Sequence, residues 1–297
     1  MDYITAKKFH KENNYEKFNE DPTFLFVNQF VKGGPSSDKE LKQKFLDHIK
    51  FNPISKKVDE KCREVYEYVK NNNLLDSIIE FIQHNKDKAI WYKDEKEIQN
   101  QLEELNSLTL SSEEFNSKDS IDKAIFNKIK KVKQVKELDV VISDIKAKSM
   151  SKVYRMYFNT QTTRLIEDIF NSHKKVTPTL IDEKGVDFFI DKVPLDLKIT
   201  HIPKGLDKET PKEDIIKNLY EKQGAIRFGA ENRLFLILND TKNPELSDKM
   251  RITHYNEIKK CISDYLDNFD NSYLKETSFT FDKKVYTVKS DLILVSI

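Results

Sequence analysis

Cysteine is nearly missing from this chain: Cys62 and Cys261 are the only two in 297 residues. Two are too few for a disulfide framework, a thiolate cluster or a structural zinc site, and they fit a reducing cytoplasm. Glycine is scarce as well, at six residues. None falls in a Gly-x-Gly-x-x-Gly or Gly-Lys-Ser/Thr pattern, so no loop offers its backbone N–H groups to a nucleotide phosphate, and use of ATP or NAD is not expected. Long apolar runs are absent: nothing approaches the ~18 residues that suggest a membrane span. The opening "MDYITAKKFHKENN" has no apolar core of a signal peptide. A cytoplasmic protein without a membrane partner is therefore expected. An excess of one charge is missing too, since 51 Lys and Arg face 50 Asp and Glu, a net charge of +1. No global field recruits a polyanion, so any nucleic acid must be met by a local patch.

What is present argues for a folded chain. Charged residues make up 34 %, yet there are 19 Phe and 12 Tyr, far more aromatic surface than a disordered segment carries. The length suffices for one large domain or two ordinary ones. Residues 1–115 read as mainly helical. "SSDKELKQKFLDHI" places Leu41, Phe45 and Ile49 on one face, and "KVDEKCREVYEYV" does the same with Val58, Cys62, Val65 and Val69. Asn71–Asn73 breaks that helix from the next, and "DEKEIQNQLEELNSL" is a further amphipathic stretch. The Ser-rich segment Ser107–Ser120 reads as a linker or exposed loop. Beyond it, Lys128, Lys130, Lys131, Lys133 and Lys136 form either a solvated helix face or a phosphate-contacting one.

Residues 116–297 change pattern. A helix through "SKVYRMYFNTQTTRLIEDIFNSH" carries Val153, Met156, Tyr157, Leu165 and Ile169 as an apolar stripe. Short strands follow at "TPTLIDEKG", "VDFFID" and "PLDLKITHI", then a helix ending near Gly229 and the wholly apolar strand "NRLFLILND". A helix over "KMRITHYNEIKKCISDYLDNF" precedes strands at "SFTFD", "KVYTV" and "DLILVSI". This order predicts an α/β fold with a mixed sheet and flanking helices.

Within it, "GVDFFIDKVPLDLKIT" holds the chemistry. Residues two apart in a strand share a face, so Asp196 and Lys198 project together while Leu195, Leu197 and Ile199 point to the core. A tight turn at Asp191–Lys192 brings Asp187, on a face with Phe189 and opposite Val186 and Phe188, across to Asp196. Two converging carboxylates repel unless a hard cation lies between them, and Mg²⁺ takes one or two carboxylates plus water and substrate phosphate. Lys198 beside that point can orient a water or offset charge on a phosphoryl group.

Asp187 followed by Asp196-Leu197-Lys198, after a helix and before a helix and an apolar strand, resembles the PD-(D/E)XK nuclease superfamily over Lys152 to Asp240. The resemblance implies a restriction-endonuclease-like core. It makes Asp187 and Asp196 metal ligands with the Leu197 carbonyl a further one, and Lys198 the motif lysine. The cation would be Mg²⁺, with Mn²⁺ able to substitute. Glu167 would be the first-helix glutamate and Gln223 the glutamine of the following helix. The chain departs from the family where Val186 replaces the proline and where Arg227 stands in place of the tyrosine of a Gln-x-x-x-Tyr pattern. The expected activity is cleavage of double-stranded DNA by a type II restriction endonuclease acting as a homodimer, with residues 1–115 serving recognition or dimerisation. A partner-activated or structure-guided nuclease, and a non-catalytic nucleic-acid-binding module, are the alternatives.

Other residues are weighed individually. Arg227, Lys204 and His201 are candidates for DNA contact, Arg227 and Arg233 standing out in a chain that prefers lysine. An ion pair of these arginines with Glu221 or Glu231 is the competing reading. Glu167 could instead be an exposed acid paired with Arg164 or Lys174, and Trp91 with Tyr92 reads as helix packing.

Overall fold

The computed structural model describes residues 1–32, 38–108, 138–221, 230–281 and 284–297. Helices α1 (Tyr3–Lys11), α2 (Thr23–Val31), α3 (Lys39–His48), α4 (Val58–Asn71), α5 (Leu75–His84) and α6 (Glu95–Ser107) come first. Asp2, Asp38 and Asp94 cap α1, α3 and α6, each carboxylate accepting the N–H three residues on at 2.9–3.0 Å, which satisfies a donor the helix cannot. The asparagine break ends α4 as expected, with Asn73 at φ 53°. Leu41, Phe45 and Ile49 are buried, as are Cys62, Val65 and Val69, while Val58 is exposed. Helix α2, mostly apolar, is buried along its whole length, its Asn28 and Gln29 side chains bonding Glu183 and the Leu180 N–H of β1.

The second part contributes α7 (Leu138–Ser172), β1 (Val176–Glu183), β2 (Val186–Ile190), β3 (Val193–Thr200), α8 (Lys212–Leu219), β4 (Arg233–Asn239), α9 (Met250–Thr253), α10 (Tyr255–Asn268), β5 (Lys275–Phe281) and β6 (Lys284–Ser296). The strands make one six-stranded mixed sheet in the order β1-β2-β3-β4-β6-β5. β1, β2 and β3 are antiparallel neighbours, β3–β4 and β4–β6 are parallel, and β5 returns antiparallel to β6. The α/β class with a mixed sheet flanked by helices thus forms as the element order predicts. No helix among the described residues is long and apolar enough to cross a membrane.

Three details differ from expectation. "KVYTV" and "DLILVSI" are one strand, β6, because Lys289–Ser290 is no turn: β6 pairs with β5 up to Ser290 and with β4 from Ser290 onward. The helix expected through His254 is broken there, where His254 leaves helical dihedrals at φ −128°, ψ 35°. The Thr253 hydroxyl bonds both the Lys249 carbonyl and the His254 ring at that point. On α7, Leu165 and Ile169 are buried as expected, but Val153, Met156 and Tyr157 are exposed, and Phe158, Thr162, Ile166 and Phe170 complete the buried stripe. The lysines from 128 to 136, Gly229, and the Ser-rich segment from 109 onward lie outside the described residues, as does the expected boundary at 115/116.

The core explains how the first part meets the second. Helices α6, α7 and α10 pack on one sheet face around Leu195, Leu197, Leu234 and Leu236. On the other face, helix α8 covers Phe235 and Ile237, while α1–α5 bury Ile181, Val186 and Phe189. Val186 therefore joins the cluster of Phe189 and not that of Phe188, contrary to simple alternation. The rings of Phe26 on α2 and Phe189 on β2 stack with centroids 3.9 Å apart, both fully buried. Such a pair adds about 0.5–1.5 kcal/mol beyond area burial. The N-terminal helices are thus built onto the sheet that carries Asp187.

Candidate functional site

The β2–β3 hairpin forms where Asp191-Lys192 permits it. Ile190 faces Val193 across a two-residue turn, with Asp191 and Lys192 both left-handed at φ 47° and 70°. The ladder ends at Phe188 opposite Leu195, one residue short of Asp187 and Asp196. There the strands part. Asp187 Oδ2 accepts the Leu197 N–H at 2.7 Å, taking the place of a β2 carbonyl. On its other side β3 stays paired with β4, Asp196 beside Arg233 and Lys198 beside Phe235. Leu195 and Leu197 are buried in the core, so Asp196 and Lys198 share the opposite face.

Asp196 sits among cations. Lys198 Nζ donates to its Oδ1 at 2.8 Å, and Arg233 Nε lies 3.3 Å from its Oδ2. Arg233, itself 2 % exposed, reaches on to Glu231 Oε2 at 3.1 Å. Its guanidinium stands 5.1 Å from the Tyr220 ring centroid, a distance at which a cation is attracted to the ring face. Of the two competing readings of Arg233, ion pairing with Glu231 is the one observed. Asn232 fixes the backbone: its carbonyl takes the Asp196 N–H at 2.9 Å and its side chain bonds Pro194 and Lys289.

Carboxylates surround this pair. Glu167, on α7, is pushed up to about 7 by burial first and then by the charges of Asp187 and Asp168, against Arg164 and Lys198. Glu231 is raised to about 7, again chiefly by burial, with Asp196 adding and Arg233 opposing. Four acids, Glu167, Asp187, Asp196 and Glu231, thus surround two cations, Lys198 and Arg233. Burial is the main reason that protonation of Glu167 and Glu231 is favourable near neutrality, and the neighbouring carboxylates add to it. Tyr15, from the N-terminal region, completes the enclosure. Its hydroxyl donates to the Lys184 carbonyl, and burial with the Glu231, Glu183 and Asp196 charges raises its pKa. Gly185 makes this approach possible. It has φ +71°, and a Cβ there would lie 2.5 Å from Tyr15 Oη and 2.8 Å from Glu231 Cγ.

The structure therefore brings together Asp187, Asp196, Leu197, Lys198 and Glu167. Gln223 and Arg227 lie outside the described residues. His201 is not with this group: its ring nitrogens lie 3.4 Å from the Leu238 carbonyl and 3.4 Å from Asp248 Oδ2. Lys204 is exposed in the loop between β3 and α8. Arg164 does not take up Glu167 as its ion-pair partner; its guanidinium stacks 3.8 Å over the Trp91 ring. Trp91 and Tyr92 precede α6 and lie in no helix themselves, but they pack on helices as expected, Tyr92 against the core cluster of α6 and α7 and Trp91 against Arg164 of α7. Their N–H groups bond the buried Asp168 carboxylate at 2.9 and 2.8 Å. Tyr15, Tyr220 and Asp168 went unnoticed in the sequence, and Glu231 figures there only as an ion-pair partner for an arginine. Only Glu231-Asn232-Arg233, three polar residues against an apolar strand, offered a signal.

Among the described residues no group of three or more His, Cys, Asp or Glu side chains is spaced to hold a metal ion. A hard divalent cation needs less, since one or two carboxylates with waters suffice for Mg²⁺. Asp187, Asp196 and the Leu197 carbonyl form an all-oxygen set in a region of surplus negative charge, which fits such an ion. Comparison with family models, curated proteins and solved structures finds no match.

Proposed function

We propose that this chain is a Mg²⁺-dependent endodeoxyribonuclease of the PD-(D/E)XK kind, most like a type II restriction endonuclease. The observation that carries the reading is the parting of β2 from β3 at Asp187. It leaves an open strand edge on which Asp187, Asp196 and Lys198 meet, with Glu167 supplied by the helix behind. The succession of α7, three antiparallel strands, α8 and a parallel β4 supports it further.

Asp187 and Asp196 would hold the ion with the Leu197 carbonyl. Bound there, Mg²⁺ supplies a Lewis acid for the phosphoryl oxygens and a water of lowered pKa. Lys198 orients the attacking water through its ammonium and offsets the charge that grows on the phosphoryl group. Glu167, balanced near neutrality, accepts or returns a proton beside the reacting centre. A symmetric pair of chains would present one such site to each strand of the duplex.

A second reading has an observation of its own. Both Asp196 oxygens face a cation, Lys198 and Arg233, as in a structural ion-pair network of a nucleic-acid-binding module. Incubating wild type and Asp196→Ala with plasmid and phage DNA, in Mg²⁺ and in EDTA, separates the two. Discrete bands from wild type in Mg²⁺ alone support restriction, and a smear supports a nuclease without sequence preference. No cleavage in any condition overturns the nuclease reading and leaves the module.

A further inference from the structure

Trp91 is the only tryptophan of the chain, and 56 % of its surface is exposed. Single exposed apolar side chains are common on protein surfaces, and this one is set apart by how firmly it is held. The Trp91 and Tyr92 N–H groups are both held by Asp168, a 4 % exposed carboxylate whose burial raises its pKa to about 6 against those two hydrogen bonds. The Tyr92 hydroxyl donates to Gln161 Oε1 at 2.9 Å. Asp168 and Gln161 both belong to α7, so the loop is fastened to that helix on both sides of Arg164.

Arg164 lies on the same helix one turn before Glu167, near enough for its charge to lower the pKa of that acid. Its guanidinium covers the indole at 3.8 Å and donates to Gln161 at 3.4 Å. The result is a rigid, cationic, aromatic shelf one helical turn from the acidic site.

We propose that the Trp91–Arg164 pair is a nucleic-acid contact, an unpaired or extruded base stacking on the indole while Arg164 meets the neighbouring phosphate. Choosing nucleic acid over a protein partner rests on the phosphodiester reading of the adjacent site. Exposed aromatic rings beside arginine are what base stacking uses, and a ring fixed in advance loses little entropy on binding. Glu167 and the shelf share α7, so a strand seated on one is aligned with the other.

The lone tryptophan makes the test direct. Wild type is titrated, with Ca²⁺ in place of Mg²⁺, with a mixed-sequence deoxyoligonucleotide, single-stranded or annealed to its complement, while indole fluorescence is followed. Saturable quenching by the single strand is expected. Affinities of the variants are read from the anisotropy of a dye-labelled copy of the same oligonucleotide, since substituting Trp91 removes the only indole: Trp91→Ala and Arg164→Gln should each weaken binding about tenfold, the value of about one stacked base, with melting temperature unchanged, and Trp91→Phe should bind close to wild type. Binding without any change in fluorescence, or Trp91→Ala binding as wild type, overturns the shelf even if the protein cuts DNA. Quenching with no Mg²⁺-dependent cleavage leaves the shelf standing and removes the nuclease reading.

Discussion

Asp187 Oδ2 bonds the Leu197 N–H at 2.7 Å, so the side chain proposed as a metal ligand also closes the sheet where β2 leaves β3. A half-buried strand N–H must find an acceptor, and leaving it without one costs about 1–3 kcal/mol. The two roles of Asp187 can be separated by substitution. Asp187→Asn keeps an oxygen acceptor and removes the charge, whereas Asp187→Ala removes both. Both variants should lose cleavage, but in urea unfolding only Asp187→Ala should lose about 1–3 kcal/mol. Equal stability of the two would show that the hydrogen bond is not what Asp187 contributes to the fold.

Glu167 gives a pH dependence with a definite sign. Its folded pKa, about 7, lies above the ordinary 4.5 because burial and neighbouring acids disfavour the charge. Between those values the folded state holds more proton than the unfolded one, so stability falls as pH rises from 4.5 to 7 and then levels. Glu167→Gln removes the titration. It should be more stable than wild type at pH 8, by roughly 1–3 kcal/mol, and no more stable near pH 4. Melting curves at the two pH values check this. A divalent ion added to wild type at pH 8 should recover part of the same loss, because it favours the charged carboxylates.

The site was legible to the extent that it follows a period. Alternation in "PLDLKIT" puts Asp196 and Lys198 opposite the buried leucines, and a two-residue turn lets Asp187 come alongside. Those are local constraints, and they hold in the structure. Arg233, Glu231 and Tyr15 were not legible as a group. They meet Asp196 only because β4 lies parallel to β3 and the N-terminal region folds under the β1–β2 turn, and no local pattern encodes either. The same limit explains α7. A stripe can be read from spacing, but which of its turns finds a partner depends on elements distant in the chain. Strand β6 is a related case: Lys289–Ser290 resembles a turn in composition, yet the two strands flanking it hold it extended.

Gly185 and Gly205 form a matched pair for the packing beneath that turn. Both have positive φ, +71° and +91°, so any side chain meets a similar backbone cost. They differ in space, for a Cβ at Gly205 meets nothing within 4 Å, whereas at Gly185 it would overlap Tyr15 and Glu231. Gly205→Ala should therefore cost about 1 kcal/mol, and Gly185→Ala about 2–4 kcal/mol, from strain plus overpacking. Denaturant midpoints measure both. Cleavage should fall in Gly185→Ala alone, since only there is Glu231 displaced and, through Arg233, Asp196.

Arg233 is the residue on which the buried charges of the site depend most. Its guanidinium meets Asp196 and Glu231 at once, 3.3 and 3.1 Å away, while 2 % exposed. Removing one partner of a buried ionic network leaves an uncompensated charge, and Arg233→Met should cost about 3–5 kcal/mol. Arg233→Lys should recover little, because one ammonium lacks the planar fork that serves two carboxylates. Glu231→Gln added to Arg233→Met removes one of the stranded charges, so the double variant should be more stable than Arg233→Met alone. A coupling of about 0.5–3 kcal/mol between the two positions is expected from urea unfolding. Strict additivity would mean that Glu231 and Arg233 do not compensate one another.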